Sequence, residues 1–248
     1  MAKKPAEIVI KLVENDFNLS QFQDDSPEYK VKEKFLEQAI FEIRHAPLLE
    51  MVENKSKILK AFQSILPNTR FPQFANQLED GVQLRSPDGK RIFWPRCQLL
   101  SVEETDYASF KNFKSTCLKY CQLYQSLFPL PTTLRTSLRY INKIPVAALP
   151  EEPQKALSID LKFGGKAPEF VELLVKHIVP PGVFVRTALS GTINQEGKQF
   201  VVWDNDISIE SELSFETALM TIDLLHSVAT KMFFAMLSEK MKERFLVQ

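Results

Sequence analysis

The chain has 248 residues and 28.5 kDa, with 31 Lys plus Arg balancing 31 Asp plus Glu. That length supports one large domain or two small ones, and its apolar (44%) and charged (25%) fractions exclude a disordered chain. No uninterrupted apolar run approaches the roughly 20 residues of a membrane-spanning helix, and charge neutrality is not the footprint of a dedicated nucleic-acid binder, although it leaves local basic patches open.

The opening Met1-Ala2-Lys3-Lys4-Pro5 is followed by no apolar stretch of the signal-peptide kind, which predicts a cytoplasmic protein. Residues 7–13 read as a first strand with Ile8, Ile10 and Leu12 on one face, and residues 14–34 as a polar arm. In Phe35–His45, Ala39, Phe41 and Ile43 alternate with Glu42 and Arg44, as in a half-buried strand. From Pro47 to Leu66 the apolar residues recur at helical spacing, weakening between Glu53 and Lys57, where a break is expected.

Val82 and Leu84 lead into the turn Ser86-Pro87-Asp88-Gly89, and Arg91–Trp94 leads out, a hairpin that Leu99–Val102 extends. Pro95 suggests an edge strand or a bulge. A long amphipathic helix is predicted over 107–127, with Asp106 as N-cap and Phe110, Phe113, Cys117, Tyr120, Cys121 and Tyr124 in its apolar stripe. Leu134–Ile144 then reads as a central strand. Leu134, Thr136, Leu138, Tyr140, Asn142 and Ile144 share one face, and Arg135, Ser137, Arg139, Ile141 and Lys143 the other.

After the Pro-rich loop 145–153, alternation over Leu157–Phe163 gives a strand, and Phe170, Leu173, Leu174 and Ile178 fit a short helix. Val183–Leu189 and Phe200–Trp203 form a second hairpin around Asn194–Gly197, and Ile207 and Ile209 a short further strand. A final helix runs from Phe215 to Phe245, with Ala218, Ile222, Leu225, Ala229, Met232 and Met236 on its buried face.

This order predicts an α+β fold, a largely antiparallel sheet with helices packed on one face and an architecture that echoes between two halves. The expected divisions are an N-terminal strand and arm (1–34), a first half (35–144), the connection 145–153, and a second half (154–248) with the long C-terminal helix.

Several segments resemble a sporadically distributed, uncharacterised prokaryotic family with a central LRYINRI motif. They are Glu37–Arg44, the Ser86–Gly89 turn, the helix from Tyr107 through Phe113, Leu138-Arg139-Tyr140-Ile141-Asn142-Lys143-Ile144, and Leu225-His226 with Phe233. The resemblance spans roughly Leu36 to Phe245. The chain departs from the pattern at Gln38, at His45 in place of an aromatic, and at Lys143 in place of arginine. The resemblance supplies no catalytic residues, and the patchy distribution implies a defence or toxin-neutralising association.

The sharpest chemical candidate is a basic cluster, Arg135, Arg139 and Lys143 on the central strand with Arg186 on a later one, which could converge on a carboxylate, phosphate, nucleotide or RNA. The competing reading pairs these arginines with Asp160, Glu42 or Asp204 from other strands, fixing sheet order, and is the preferred one. Asp204-Asn205-Asp206 has oxygen ligands for a cation but lacks the Gly and Glu of a calcium loop, so it reads as a polar bend. Cys117 and Cys121 share a helix face without further ligands and read as core.

His45, His177 and His226 are scattered, and no phosphate loop, dinucleotide fingerprint, zincin motif or nucleophile elbow is present. The sequence therefore predicts no catalytic residue, metal or cofactor, but a binding or accessory protein acting through a protein partner. Phe233, Phe234 and Leu237 widen the C-terminal stripe and suggest self-association there.

Overall fold

A computed structural model describes residues 9–12, 35–70, 80–146, 159–162, 172–179, 182–193, 195–238 and 241–243. Its framework is a nine-stranded, wholly antiparallel sheet. In chain order the strands are β2 (Leu36–Arg44), β3 (Asn68–Arg70), β4 (Gln83–Arg85), β5 (Arg91–Arg96), β6 (Leu99–Glu104), β8 (Arg135–Val146), β10 (Glu172–Val179), β11 (Val183–Ile193) and β12 (Gln199–Ile209). Two small pairs lie outside it: β1 (Val9–Leu12) with β9 (Ile159–Lys162), and β7 (Thr132–Thr133) with β13 (Leu213–Ser214). The helices are α1 (Leu49–Glu53), α2 (Lys55–Phe62), α3 (Phe110–Leu127), α4 (Phe215–Met220) and α5 (Ile222–Met236).

The spatial order β10-β11-β12-β8-β2-β6-β5-β4-β3 makes the echo between halves concrete. Each half opens on a strand, β2 or β8, that ends up pairing with the last strand of a three-strand meander, β4-β5-β6 or β10-β11-β12. A helical segment follows each meander, α3 or α4–α5. The halves meet where β2 and β8 pair, from Leu36 opposite Asn142 to Arg44 opposite Arg135, with an irregularity between Leu36 and Gln38. β8 thus stands to β10-β11-β12 as β2 stands to β4-β5-β6, within one continuous sheet.

Register explains the core. Phe93, Val102, Phe41, Leu138, Ile207 and Val185 lie side by side across β5, β6, β2, β8, β12 and β11, and all are buried. Helices α2 and α3 cover this face over the first unit, where Phe62 stacks on Phe93 at 4.8 Å. α5 covers it over the second. Toward the far end of β8 a further cluster joins Phe35, Ile144, Val201 and Trp203 to Phe233, Phe234 and Leu237. Phe233, Phe234 and Leu237 thus pack against strands of their own chain. Phe215–Met236 also has the length and hydropathy to cross a membrane, yet it breaks at Thr221, and Phe215, Leu225, Val228, Met232 and Phe233 pack into the core.

Several expectations are corrected. The helix expected around Phe170–Ile178 is strand β10 over its described part, paired with β11 from Glu172–Ser190 to Val179–Val183. Its β-branched residues and the turn at Gly182, whose φ is 106°, favour a hairpin. Asp204-Asn205-Asp206 is no bend but the middle of β12, and Ile207 and Ile209 continue that strand.

α3 is capped by Ser109, whose hydroxyl accepts from Asn112 N at 3.3 Å, while Asp106 pairs with Lys90. Pro95 lies on neither an edge nor a bulge. Its carbonyl accepts from Val82 N, so its missing N–H also faces β4, and the β5–β6 ladder stays intact. The C-terminal helix ends at Met236, where Leu237 is extended. Leu134 is exposed rather than core. The break expected near Glu53 occurs at Asn54, and Cys117 and Cys121 are buried.

Candidate functional site

The helices leave the opposite face of the sheet to strand side chains alone among the described residues. Across its centre, the row Ile40–Arg139–Asp206–Arg186–Lys176 runs over β2, β8, β12, β11 and β10. Beside it run Gln38–Ile141–Asp204–Ala188–Leu174 and Glu42–Ser137–Ser208–Phe184–Ile178. The pleat places the candidate arginines here, because β8 turns its apolar phase to the helices.

Most of these charges are mutually satisfied. Arg135 donates to Glu42 Oε1 (3.1 Å), Ser137 Oγ (2.8 Å) and Asp206 Oδ2 (2.7 Å), and its Nε lies 3.6 Å from Glu210. Glu42 also accepts from Arg44 Nε at 2.7 Å, and this bond raises the Arg44 pKa. Arg139 grips Asp204 with two bonds, Nε to Oδ1 at 2.7 Å and Nη2 to Oδ2 at 2.6 Å, a fork that suits a planar carboxylate. That hydrogen bond raises the Arg139 pKa, against the opposing effect of burial.

Arg186 lies farther out, Nη1 at 3.8 Å from the same Asp204 oxygen. Lys143 sits over the Phe200 ring at 4.6 Å, a cation–π contact. The structure therefore brings Arg135, Arg139 and Arg186 onto one face around Asp204 and Asp206, with Lys143 at its margin. Two of the three acids expected as partners, Glu42 and Asp204, serve that role. The backbone of Asp160, the third, pairs with Lys11 in the separate β1–β9 ribbon.

Two features refine this network. Asp206 Oδ1 is buried with no donor, although Asp206 lies directly opposite both Arg139 and Arg186. Glu103 accepts from Gln38 Nε2 at 2.9 Å and Ser101 Oγ at 3.2 Å, while burial raises its pKa. The carboxylates form a floor, Asp204 and Asp206 being 14% and 17% exposed, and the Arg139 and Arg186 side chains stand above them at 39% and 41%.

The helix-covered face holds a polar cluster that the sequence reading missed. His226 on α5 lies flat against Phe110 of α3, ring centroids 3.7 Å apart, and its Nδ1 is 2.8 Å from Tyr140 Oη. The Tyr107 ring meets Tyr140 edge to face, ring centroids 5.8 Å apart. Nearby, Glu104 is buried, held by Arg91 Nε at 3.1 Å on one oxygen and without a partner on the other.

Burial lowers the His226 pKa to about 4 and raises that of Tyr107 to about 12. Burial likewise pushes the Tyr140 hydroxyl and the Cys117 thiol well up. All four are uncharged near neutrality, far from the poise of a general acid, base or nucleophile. Their inward phases on strand and helix are legible in the sequence, but the contact across 86 positions is not. Among the described residues no three His, Cys, Asp or Glu side chains form a metal-holding group.

No family model matches this chain, and no curated protein matches it.

Proposed function

We propose that this protein is a non-enzymatic binding or accessory module that docks a protein partner on the helix-free face of its sheet. The observation that carries this reading is Arg139, held by two bonds to Asp204 yet 39% exposed. An arginine already fixed in one geometry loses little side-chain freedom on contact, and arginine is a favoured anchor in protein interfaces.

Half-buried Ile40, Ile141, Val202 and Ala188 lie among the charges and supply apolar contact. Because Arg135 and Arg139 carry their own carboxylates, those two guanidiniums at the centre of the surface offer little uncompensated charge to a nucleotide or RNA. The patchy distribution of the family that the chain resembles favours a defence or toxin-neutralising setting and a cytoplasmic one.

The test is co-purification of the tagged chain from its native cells. A stoichiometric protein partner whose retention changes little between low and moderate salt is expected. A chain recovered alone contradicts the proposal, as does one carrying nucleic acid released steeply by salt.

A further inference from the structure

The nine-stranded sheet ends at β10, whose only strand partner among the described residues is β11. Strand edges with unpaired backbone groups invite pairing with another chain, and exposed apolar side chains on such an edge add to the tendency. Leu174 and Ile178 on this edge are 54% and 64% exposed, and they flank Lys176 on the helix-free face. Lys176 stands directly opposite Arg186. Like charges across a strand pair are destabilising, and no ion pair relieves Lys176 among the described residues, whereas Arg186 only approaches Asp204 at 3.8 Å.

The order of residues along β10, Glu172-Leu173-Leu174-Val175-Lys176, is self-complementary. In an antiparallel pairing of two identical strands centred on Leu174, position 172 of each lies opposite position 176 of the other. That register places an acid against each lysine and Leu174 against its own copy. It also keeps the helix-free faces of both sheets on one side, because residues directly opposite share a face. Moving the centre by one residue to Val175 sets Leu174 against lysine, and moving it to Lys176 sets lysine against lysine. One register is thus singled out by charge and apolarity together.

We propose that two copies of this chain associate edge to edge along β10 about a two-fold axis at Leu174. Glu172 of each then faces the partner's Lys176, and the two sheets become one. The contact is isologous, so two copies close it and leave no β10 edge for further growth. This proposal is independent of which protein docks on the helix-free face.

Charge reversal tests it on the full chain, by analytical ultracentrifugation over a concentration series. Wild type is expected to show a monomer–dimer equilibrium. Glu172→Lys and Lys176→Glu each set two like-charged pairs across the axis, and each alone is expected to weaken the dimer by about tenfold or more. An equimolar mixture of the two variants restores opposite charges at both pairs, so a heterodimer at least as tight as wild type is expected. Circular dichroism of each variant checks folding, and recovery on mixing excludes misfolding as the cause of loss.

The register is read separately by Leu174→Cys in a Cys97→Ser background. A disulfide-linked dimer is expected under mild oxidation, because directly opposed strand positions lie within disulfide reach. A wild type that stays monomeric at every concentration overturns the proposal. So do single variants that dimerise like wild type, a mixture that fails to associate, or cross-linking at Met220→Cys on α4 in preference to Leu174→Cys.

Discussion

Replacing Arg135 by Met removes the guanidinium that ties β8 to β2 and β12 while keeping most of the stem's volume. The loss strands Asp206, whose other oxygen already lacks a donor, and leaves Glu42 only the exposed Arg44. Breaking a fully buried pair by removing one partner costs about 3–5 kcal/mol. Here Arg135 is 15% exposed, Asp206 17% and Glu42 20%, so water recovers part of that and about 2–3 kcal/mol is expected. For a chain of this size, this lowers Tm by about 5–10 °C.

Arg139→Met removes a shorter, bidentate contact, but that side chain is 39% exposed, so its loss costs about 1 kcal/mol and shrinks further in high salt. Urea unfolding of both variants, with Asp206→Asn completing a double-mutant cycle, measures the difference. A coupling of about 1–2 kcal/mol between Arg135 and Asp206 is expected. Equal effects for the two arginines, or no coupling, would refute the view that Arg135 is the buried tie of the sheet.

Acid should expose the cost of burying His226. Its folded pKa of about 4 lies below the ordinary 6.5, so the unfolded chain binds the extra proton first. Stability is then full above about pH 6.5 and falls toward pH 4, by at most about 3 kcal/mol from this residue. His226→Gln should flatten most of that slope, leaving the smaller part due to His45, whose pKa burial also lowers. Gly81 and Gly89 should separate space from conformation. A Cβ at Gly81 would collide with the Pro95 carbonyl, whereas Gly89 has open space and only a φ of 73° to oppose a side chain. Gly89→Ala is expected to lower stability by about 1–2 kcal/mol in urea unfolding, and Gly81→Ala by clearly more. Titration of the folded protein with a thiol reagent should modify Cys97 alone at first, since Cys117 and Cys121 are buried and react only on unfolding.

Sheet and helix positions were largely readable because β8, β11 and β12 alternate between buried and half-buried residues along most of their length. β10 misled because Phe170, Leu173, Leu174 and Ile178 fall at helical spacing within a segment apolar in both strand phases. Pairing with β11 decides its conformation, and that information lies outside the segment. The arginine partners Glu42 and Asp204 were legible as acids of suitable phase. Asp206 and Glu210 were not, because a run of Asp-Asn-Asp suggests a bend when β12 is not known to continue through it. The Tyr140–His226 contact depends on how α5 crosses β8, which periodicity leaves undetermined.

Partner retention in two full-length variants tests the proposal that the helix-free face is the docking surface. Ile141→Gln with Val202→Gln removes apolar contact from that face without adding charge, and Lys111→Glu alters the exposed side of α3. Quantified co-purification is expected to show the partner lost from the first and kept by the second, with both folded. Retention by the sheet-face variant, or loss from the α3 variant alone, would contradict the account.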